Sequence, residues 1–450
     1  MEKLLKYCLE AALSGGATYA EATGVEIREK SFSRENGCPQ SGGRREEGIA
    51  LRLIASGRWG FAAGPANGKT EAAALVQGAL AGAAALPPRT FAVGFSPAPS
   101  LRGNWRGPCQ EDPFTLPDSR PTEILAETDR AMDLDHLGSR RSFLHFRRER
   151  RLYRNSEASA TDQTFTLVGG GVQALAFRRG EVQQRSWPAP GGAYAQGGYE
   201  HIAKLDLPRR GREAAEEALA LIQAPLCPEG VLDLVLAGPL LAELLFSSLE
   251  WLDPARPLDR ISSPQITLVA DAALAGGTGS YGYDAEGVQA RSFPLVAKGK
   301  VVNYLAGREG GAALGAASLG NMSWGSWQAP PFALVANLLL EPGGHSLDQL
   351  IQGIERGLFL DTPRVPAAFC PQGRAFLAQA ETGRMIENGV LTHLVKAPLF
   401  RGQRVAFWHG CDAVASAAHQ ETLGFFRRGA ARGALVSPLR LRGVRVGEGQ

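Results

Sequence analysis

The chain has 450 residues, room for two or three domains, and its 44% hydrophobic and 21% charged residues are the balance of a globular protein with a sizeable core. A formal net charge of +3 is too small at this length to predict a nucleic-acid or anionic-membrane surface. Glycine (55) and proline (28) are frequent, which predicts many turns and a β-rich fold. Cys8, Cys38, Cys109, Cys227, Cys370 and Cys411 are scattered without a CxxC pair. They read as reduced thiols of a cytoplasmic protein, not as a disulfide framework or zinc ribbon. The opening MEKLLKYCLEAALSGGA is not a signal peptide: Lys6 and Glu10 interrupt it, and Leu5, Leu9 and Leu13 share one helix face. The sequence holds no uncharged apolar run of ~18 residues, so no membrane-spanning helix and no membrane partner are expected.

In chain order, residues 2–14 predict a helix closed by Gly15-Gly16. Residues 19–34 read as a strand and 38–47 as a polar loop. A hairpin is expected over 49–54 and 59–62 with its turn at Ser56-Gly57, then an alanine-rich helix over 70–86. The proline- and glycine-rich stretch 87–121 reads as an extended connector, and 122–137 as a helix. Strands follow over 142–186, with a turn or bulge at Gly169, Gly170 and Gly171. A Gly/Ala/Tyr loop covers 188–199, a helix 213–222, and a linker 224–230.

The most informative stretch is 231–305. Leu232 to Leu236 is a buried strand ended by Gly238-Pro239, and Leu241, Leu244, Leu245, Leu249 and Leu252 then lie on one helix face. A second strand is expected at 266–269, and a turn at Asp284-Ala285-Glu286-Gly287 precedes another at 288–296. Beyond it come a tryptophan-rich loop (321–331), a strand (332–340) and a helix (347–357). The segments 374–381 and 390–395 form a hairpin around Asn388-Gly389, a helix lies near 413–422, and 435–446 is an amphipathic strand.

These signals, in this order, resemble the TldD/PmbA (TldE) family. The resemblance rests on the helix after Gly238-Pro239, on SSPQITLVAD, on GSYGYDAEGVQARSFPLVAKGKVVNYL, on Gly57-Arg58-Trp59-Gly60-Phe61 in the first hairpin, and on Gly320-Asn321, Asn337 and Glu387-Asn388-Gly389. It covers nearly the whole chain. It implies an α+β fold in which an N-terminal helix/hairpin segment (1–86) and a middle strand region (87–224) precede a β-rich C-terminal TldD/PmbA-type domain (225–450).

In TldD-type members the helix after the Gly-Pro carries HExxxH, two zinc-binding histidines and a general-base glutamate. Here none of His136, His145, His201, His345, His393, His409 and His419 precedes a glutamate. The alignment sets Phe246, Ser247 or Ser248 against the first His-Glu and Trp251 or Leu252 against the second histidine. Phe425-Phe426 stands against the family's cysteine ligand. No catalytic or metal-binding residue is expected in this chain.

Other chemistry is weaker. His409, Cys411 and His419, with Asp412, are soft ligands close in sequence, though such a cluster is more often structural. Gly64-Pro65-Ala66-Asn67-Gly68-Lys69-Thr70 is one residue short of a phosphate loop. Neither Thr278-Gly279-Ser280-Tyr281-Gly282 nor Asn321-Met322-Ser323-Trp324-Gly325 has the first glycine of a nucleophile elbow. The arginines of 147–154 read as a solvated strand face before a nucleic-acid grip.

The resemblance thus implies the non-metal-binding TldE/PmbA-like subunit of a cytoplasmic zinc metallopeptidase acting on unfolded or short peptides. Zinc is expected only in a TldD-type HExxxH partner subunit, in a heterodimer. Gly320, Asn321 and Asn337 are candidates for a peptide-channel wall, and Trp324 and Trp327 for interface anchors. The alternatives are a stand-alone scaffold or binding homodimer, and, less favoured, a nucleic-acid-associated factor of the DNA gyrase modulator type.

Overall fold

The structure is a computed structural model. It describes every residue except 66, 88–92, 250–251, 253–258, 365–367, 370–374, 428 and 448–450, and strand counts refer to the described residues.

The N-terminal half is one long sheet with helices packed on it. Its elements are α1 (Glu2–Ser14), β1 (Ala17–Glu35), β2 (Cys38–Ala55), β3 (Arg58–Gly64), α2 (Lys69–Ala85), β4 (Arg102–Arg106), α3 (Ser119–Ala131), β5 (Leu137–Asn155), β6 (Ala160–Arg178), β7 (Glu181–Trp187), β8 (Ala193–Gln196) and α4 (Leu207–Gln223). The strand order is β3-β2-β1-β5-β6-β4, with β7 and β8 both paired to β6. Two-residue turns at Asn36-Gly37 (φ 47, 83) and Ser56-Gly57 (φ 50, 70) are left-handed, the geometry that matches strand twist. Leu5, Cys8 and Ala12 of α1 and Ala72, Val76, Ala79 and Ala83 of α2 bury one face each against Leu51 and Leu53. Leu125, Leu207, Ala215 and Ala218 of α3 and α4 cover Phe146 and Val168 in the same way. The segments 1–86 and 87–224 therefore share a single sheet.

The C-terminal half holds β9 (Gly230–Leu236), α5 (Gly238–Leu249), β10 (Leu268–Asp271), β11 (Ser292–Ala297), β12 (Lys300–Val301), α6 (Arg308–Ala313), β13 (Met322–Ser323), β14 (Phe332–Ala333), β15 (Asn337–Leu340) and α7 (Leu347–Gln352). It continues with β16 (Arg356–Leu360), β17 (Ala368–Phe369), β18 (Ala375–Gln379), β19 (Thr382–Glu387), β20 (Val390–Lys396), β21 (Leu399–Gln403), α8 (Arg404–His409), β22 (Cys411–Val414), β23 (Glu421–Arg427), β24 (Ala430–Val436) and β25 (Leu439–Val446). One sheet runs β12-β11-β10-β15-β24-β23, another β17-β18-β21-β25-β9-β16-β19-β20 with β22 on β25. Leu241, Leu244, Leu245 and Leu249 of α5 join side chains of both sheets in one core. That helix is apolar nearly all round because it has almost no solvent side: of its residues only Ser247 is not buried.

Several sequence expectations are corrected. Residues 38–47 are not a loop but the first part of β2, paired one to one with β1 and polar because both faces meet water. Gly169 to Gly171 make no turn or bulge. They lie mid-strand, where a Cβ would collide with the Tyr194 ring, the Phe143 carbonyl and the Trp187 carbonyl. The connector contains β4, in parallel register with β6. The helix expected over 122–137 ends at Ala131, and that of 347–357 at Gln352 behind a Ser346/Gln349 capping box. No α-helix occupies 413–422, which holds β22 and the start of β23; the helix there is α8. The strand of 332–340 splits into β14 and β15, and β20 pairs with β19, whereas Ala375–Gln379 pairs with β21.

The two halves are joined by buried charge. Arg52 on β2 reaches Glu21 and, across the junction, Glu286, each at 2.6 Å, with its guanidinium 4.2 Å over the Trp59 ring. The Tyr153 hydroxyl donates to Glu21 and to the Glu286 carbonyl, and the Arg308 backbone N–H donates to the Glu286 carboxylate at 2.6 Å. Burial raises the Glu21 carboxyl above its ordinary value, against the pull of Arg52. Replacing Arg52 with Ala leaves two carboxylates buried without their cation. The expected cost is about 3–5 kcal/mol, measured as a lower urea midpoint, whereas Arg45→Ala, on an exposed ion pair, leaves the midpoint within error.

Candidate functional site

A cavity of about 740 Å3 opens where the two halves meet. Its C-terminal wall is the start of α5, Asp361 after β16, and β23. Its other wall is α4, the β7–β8 connection and the turn at His201–Lys204. β23 ends its sheet, and among the described residues the backbone of Glu421, Thr422 and Leu423 has no partner on the outer edge. At Gly424 the lane closes, since a Cβ there would run into the Tyr194 carbonyl of β8, to which Thr278 Oγ1 donates at 3.2 Å. The cavity thus combines charged side chains with an open strand edge, the arrangement that holds an extended peptide by its backbone.

Below this edge α5 packs on β23. The Phe246 and Phe425 rings meet edge to face with centroids 6.1 Å apart, and the Arg432 guanidinium lies 3.8 Å from the Phe246 ring centre. Arg427 grips both oxygens of buried Glu243, at 2.8 and 3.2 Å. The Ser247 and Ser248 hydroxyls donate to carbonyls one turn back, and Ser248 Oγ also accepts from the Trp408 indole at 2.8 Å.

The helix on which the resemblance sets the HExxxH positions is α5. Phe246, Ser247 and Ser248, set against the first His-Glu, lie in the last described turn of α5; Leu252 lies just beyond, and Trp251 falls outside the described residues. These residues do not fit a zinc ion. A phenyl ring and back-bonded hydroxyls supply no ligand, and Phe425 and Phe426 stand where the family's cysteine is expected.

Phe426 completes an aromatic cluster with His145 (5.5 Å) and Tyr194 (5.7 Å). Beneath it Glu29 bridges His145 and Arg147, whose hydrogen bonds, that of His145 foremost, hold its carboxyl down at about 2. A lowered carboxyl stabilises the fold above the usual carboxylate range and loses that contribution as pH falls toward 2. Glu29→Gln is therefore expected to flatten the acid limb of the stability–pH curve and leave the neutral plateau displaced downward.

The residues expected as a channel wall do not line the cavity. Asn337 is fully buried and saturated: its amide donates to the Asp271 carbonyl (2.7 Å) and Ser280 Oγ (2.9 Å), and its oxygen accepts from the Gly279 N–H. Gly320 makes a left-handed turn (φ 72) whose carbonyl accepts from the Tyr281 hydroxyl. Asn321 is buried with neither side-chain polar atom hydrogen-bonded among the described residues. Trp324 and Trp327 are anchors within the chain: Trp324 packs on Ala50 and Phe61, and Trp327 on Val25 and Ile27, over Gly48. Trp327→Ala should cost about 3–5 kcal/mol, read as a drop in melting temperature.

The remaining candidates are structural. Cys411 is buried with its thiol pushed up to about 12, Asp412 is held by Arg440 and Arg442, and no group of three His, Cys, Asp or Glu among the described residues could hold a metal. The arginines at 147, 148, 150, 151 and 154 each pair with a carboxylate. Among the described residues no helix is long and apolar enough to cross a membrane.

Comparison with known proteins gives one family. Residues 241–448 match the model of the PmbA/TldA metallopeptidase C-terminal domain. A metalloprotease of Methanothermobacter thermautotrophicus is 27% identical over 83% of this chain and 82% of its own length. One from Synechocystis is 27% identical over 56% and 57%. Among solved structures, TldE of Thermococcus kodakarensis (TM-score 0.76, 16% identity) covers 99% of both chains. A Thermotoga maritima protein described as a modulator of DNA gyrase (TM-score 0.79, 16% identity) covers 99% of this chain and 100% of its own, the latter two showing the fold alone. Fold and C-terminal domain are those of a metalloprotease-related α+β protein. Residues 241–448 carry the PmbA/TldA-type C-terminal domain, and the chain as a whole is similar to members of the TldD/PmbA (TldE) family.

Proposed function

We propose that this chain is the zinc-free, TldE/PmbA-type subunit of a cytoplasmic peptidase whose TldD-type partner carries HExxxH, and that it holds unfolded or short peptides without cutting them itself. The observation that carries this reading is α5: Phe246, Ser247 and Ser248 stand where the resemblance expects the first His-Glu, and Glu243, the one acid on the described helix, is locked by Arg427. The second support is the cavity, whose free β23 edge suits an extended backbone whatever its sequence.

In this reading the loss of the ligands left a binding half-site. α5 and β23 kept their mutual packing by exchanging metal bonds for the Phe246–Phe425 contact and the Arg427–Glu243 pair. The purified chain is expected to carry substoichiometric zinc by elemental analysis and to leave an unfolded reporter peptide intact. Mixing it with an HExxxH relative from the same cells should raise cleavage above that of the relative alone. Zinc at one per chain, or cleavage by this chain alone that a chelator stops, would overturn the assignment. A homodimer with no effect in the mixture would support the stand-alone scaffold.

A further inference from the structure

The cavity has features that a general peptide groove does not need. Its strand edge is open over residues 421–423 only, and beyond them β8 already fills the lane at Gly424 and Tyr194. A strand added here stops after about three residues, at ~3.4 Å each. An interior segment of a long chain would have to turn out of the lane, whereas a chain end need not.

Two acids beside this edge are also left unpaired. Gly238, in a left-handed conformation (φ 52), lets the backbone pass between two acids: a Cβ there would lie 3.6 Å from Glu421 Oε2 and 3.7 Å from the Asp361 Cβ. Neither carboxylate has an ion-pair partner among the described residues. Arg185, whose charge reaches Asp361, is already bound to Glu217 at 2.7 Å and to Glu381 at 3.2 Å. Of the charged side chains lining the cavity, Glu213, Glu217, Asp361 and Glu421 stand with Arg185, Lys204 and Arg210, and Asp361 and Glu421 are the acids left without an ion pair among the described residues. The Glu421 carboxyl is raised by burial and then by the charge of Asp361, as expected of an acid that lacks a cation. On the facing wall Arg210 is spent on Glu213 and the Trp187 ring, and Lys204 stands beside His201.

Resting on the peptide-holding reading above, we propose that the cavity takes the end of a peptide chain. The end lies as a short strand along Glu421–Leu423 by number, with a positively charged group, the terminal ammonium or a Lys/Arg side chain, against Asp361 and Glu421. The backbone edge gives affinity without sequence choice. The two acids select charge, and the Tyr194–Gly424 closure selects an end.

The test is fluorescence anisotropy of the full chain with labelled hexapeptides of Gly and Ser. The set comprises a free amino terminus, an acetylated terminus, an acetylated form with one Lys, an acetylated form with one Glu, and a cyclised form with one Lys. Cationic linear peptides should bind at least about tenfold tighter than the neutral or acidic ones, a difference of about 1.4 kcal/mol. The free-terminus and Lys peptides separate the two sources of charge. The Asp361→Asn/Glu421→Gln double variant should lose that preference while melting as the parent does. Thr422→Pro, which blocks the edge, should weaken all the peptides; if it melts early, the double variant still decides. Equal binding of cationic and neutral peptides, a preference that survives the double variant, or equal binding of the cyclised peptide would overturn the proposal. So would no binding at all, and in that case the mixed-subunit cleavage assay shows separately whether the subunit assignment stands.

Discussion

Everything at the junction of the two halves depends on Arg52 being held between two buried carboxylates. Glu21 belongs to the first strand of the chain and Glu286 to a turn more than 230 residues later, and one guanidinium bonds both at 2.6 Å. Such a pair is not a large net source of stability, because desolvating three charges offsets most of the attraction. Its effect is geometric: the charges are satisfied only when the two halves sit at one distance and angle. Trp324 and Trp327 fill the space beside it. The cavity, whose walls come one from each half, exists because that angle is fixed.

Within the C-terminal half the constraint passes through α5. A helix buried on nearly every side cannot hold an unpaired acid, so Glu243 requires Arg427, and Arg427 in turn ties β23 to the helix. β23 is thereby fixed with its inner edge on β24 and its outer edge toward the cavity. The Phe246–Phe425 packing and the display of a strand edge are two consequences of the same arrangement.

Much of this was legible in the sequence wherever the signal is local. The hairpin turns at Ser56-Gly57 and Asn388-Gly389, the helices at either end of the first hairpin, the apolar face of α5 and the alternating tail each follow from turn chemistry or period. The failures share a cause. Residues 38–47 are polar because β2 extends beyond the core, so burial gave no pattern to read. Gly169 to Gly171 look like a turn because the Tyr194 and Phe143 contacts that require glycine are made by residues far along the chain or across the sheet. Residues 413–422 have helix-like composition, but pairing of β22 with β25 overrides it.

The site was half legible. The missing histidines are plain in the sequence, while the tie between Glu243 and Arg427 joins residues 184 apart and leaves no local signal. The β23 edge, Tyr194, Asp361 and Glu421 carry no motif at all. An edge is a property of strand order, and strand order is set by pairing between distant segments. Asn337 and the two tryptophans drew notice as unusual residues, and their chemistry is used up in holding the chain together.

The most direct test of the central claim is affinity isolation of this chain from its native cells, with mass spectrometry of what accompanies it. The account predicts an HExxxH-bearing relative in near-equal amount. Recovery of the chain alone, as a metal-free oligomer with no such relative, would contradict it.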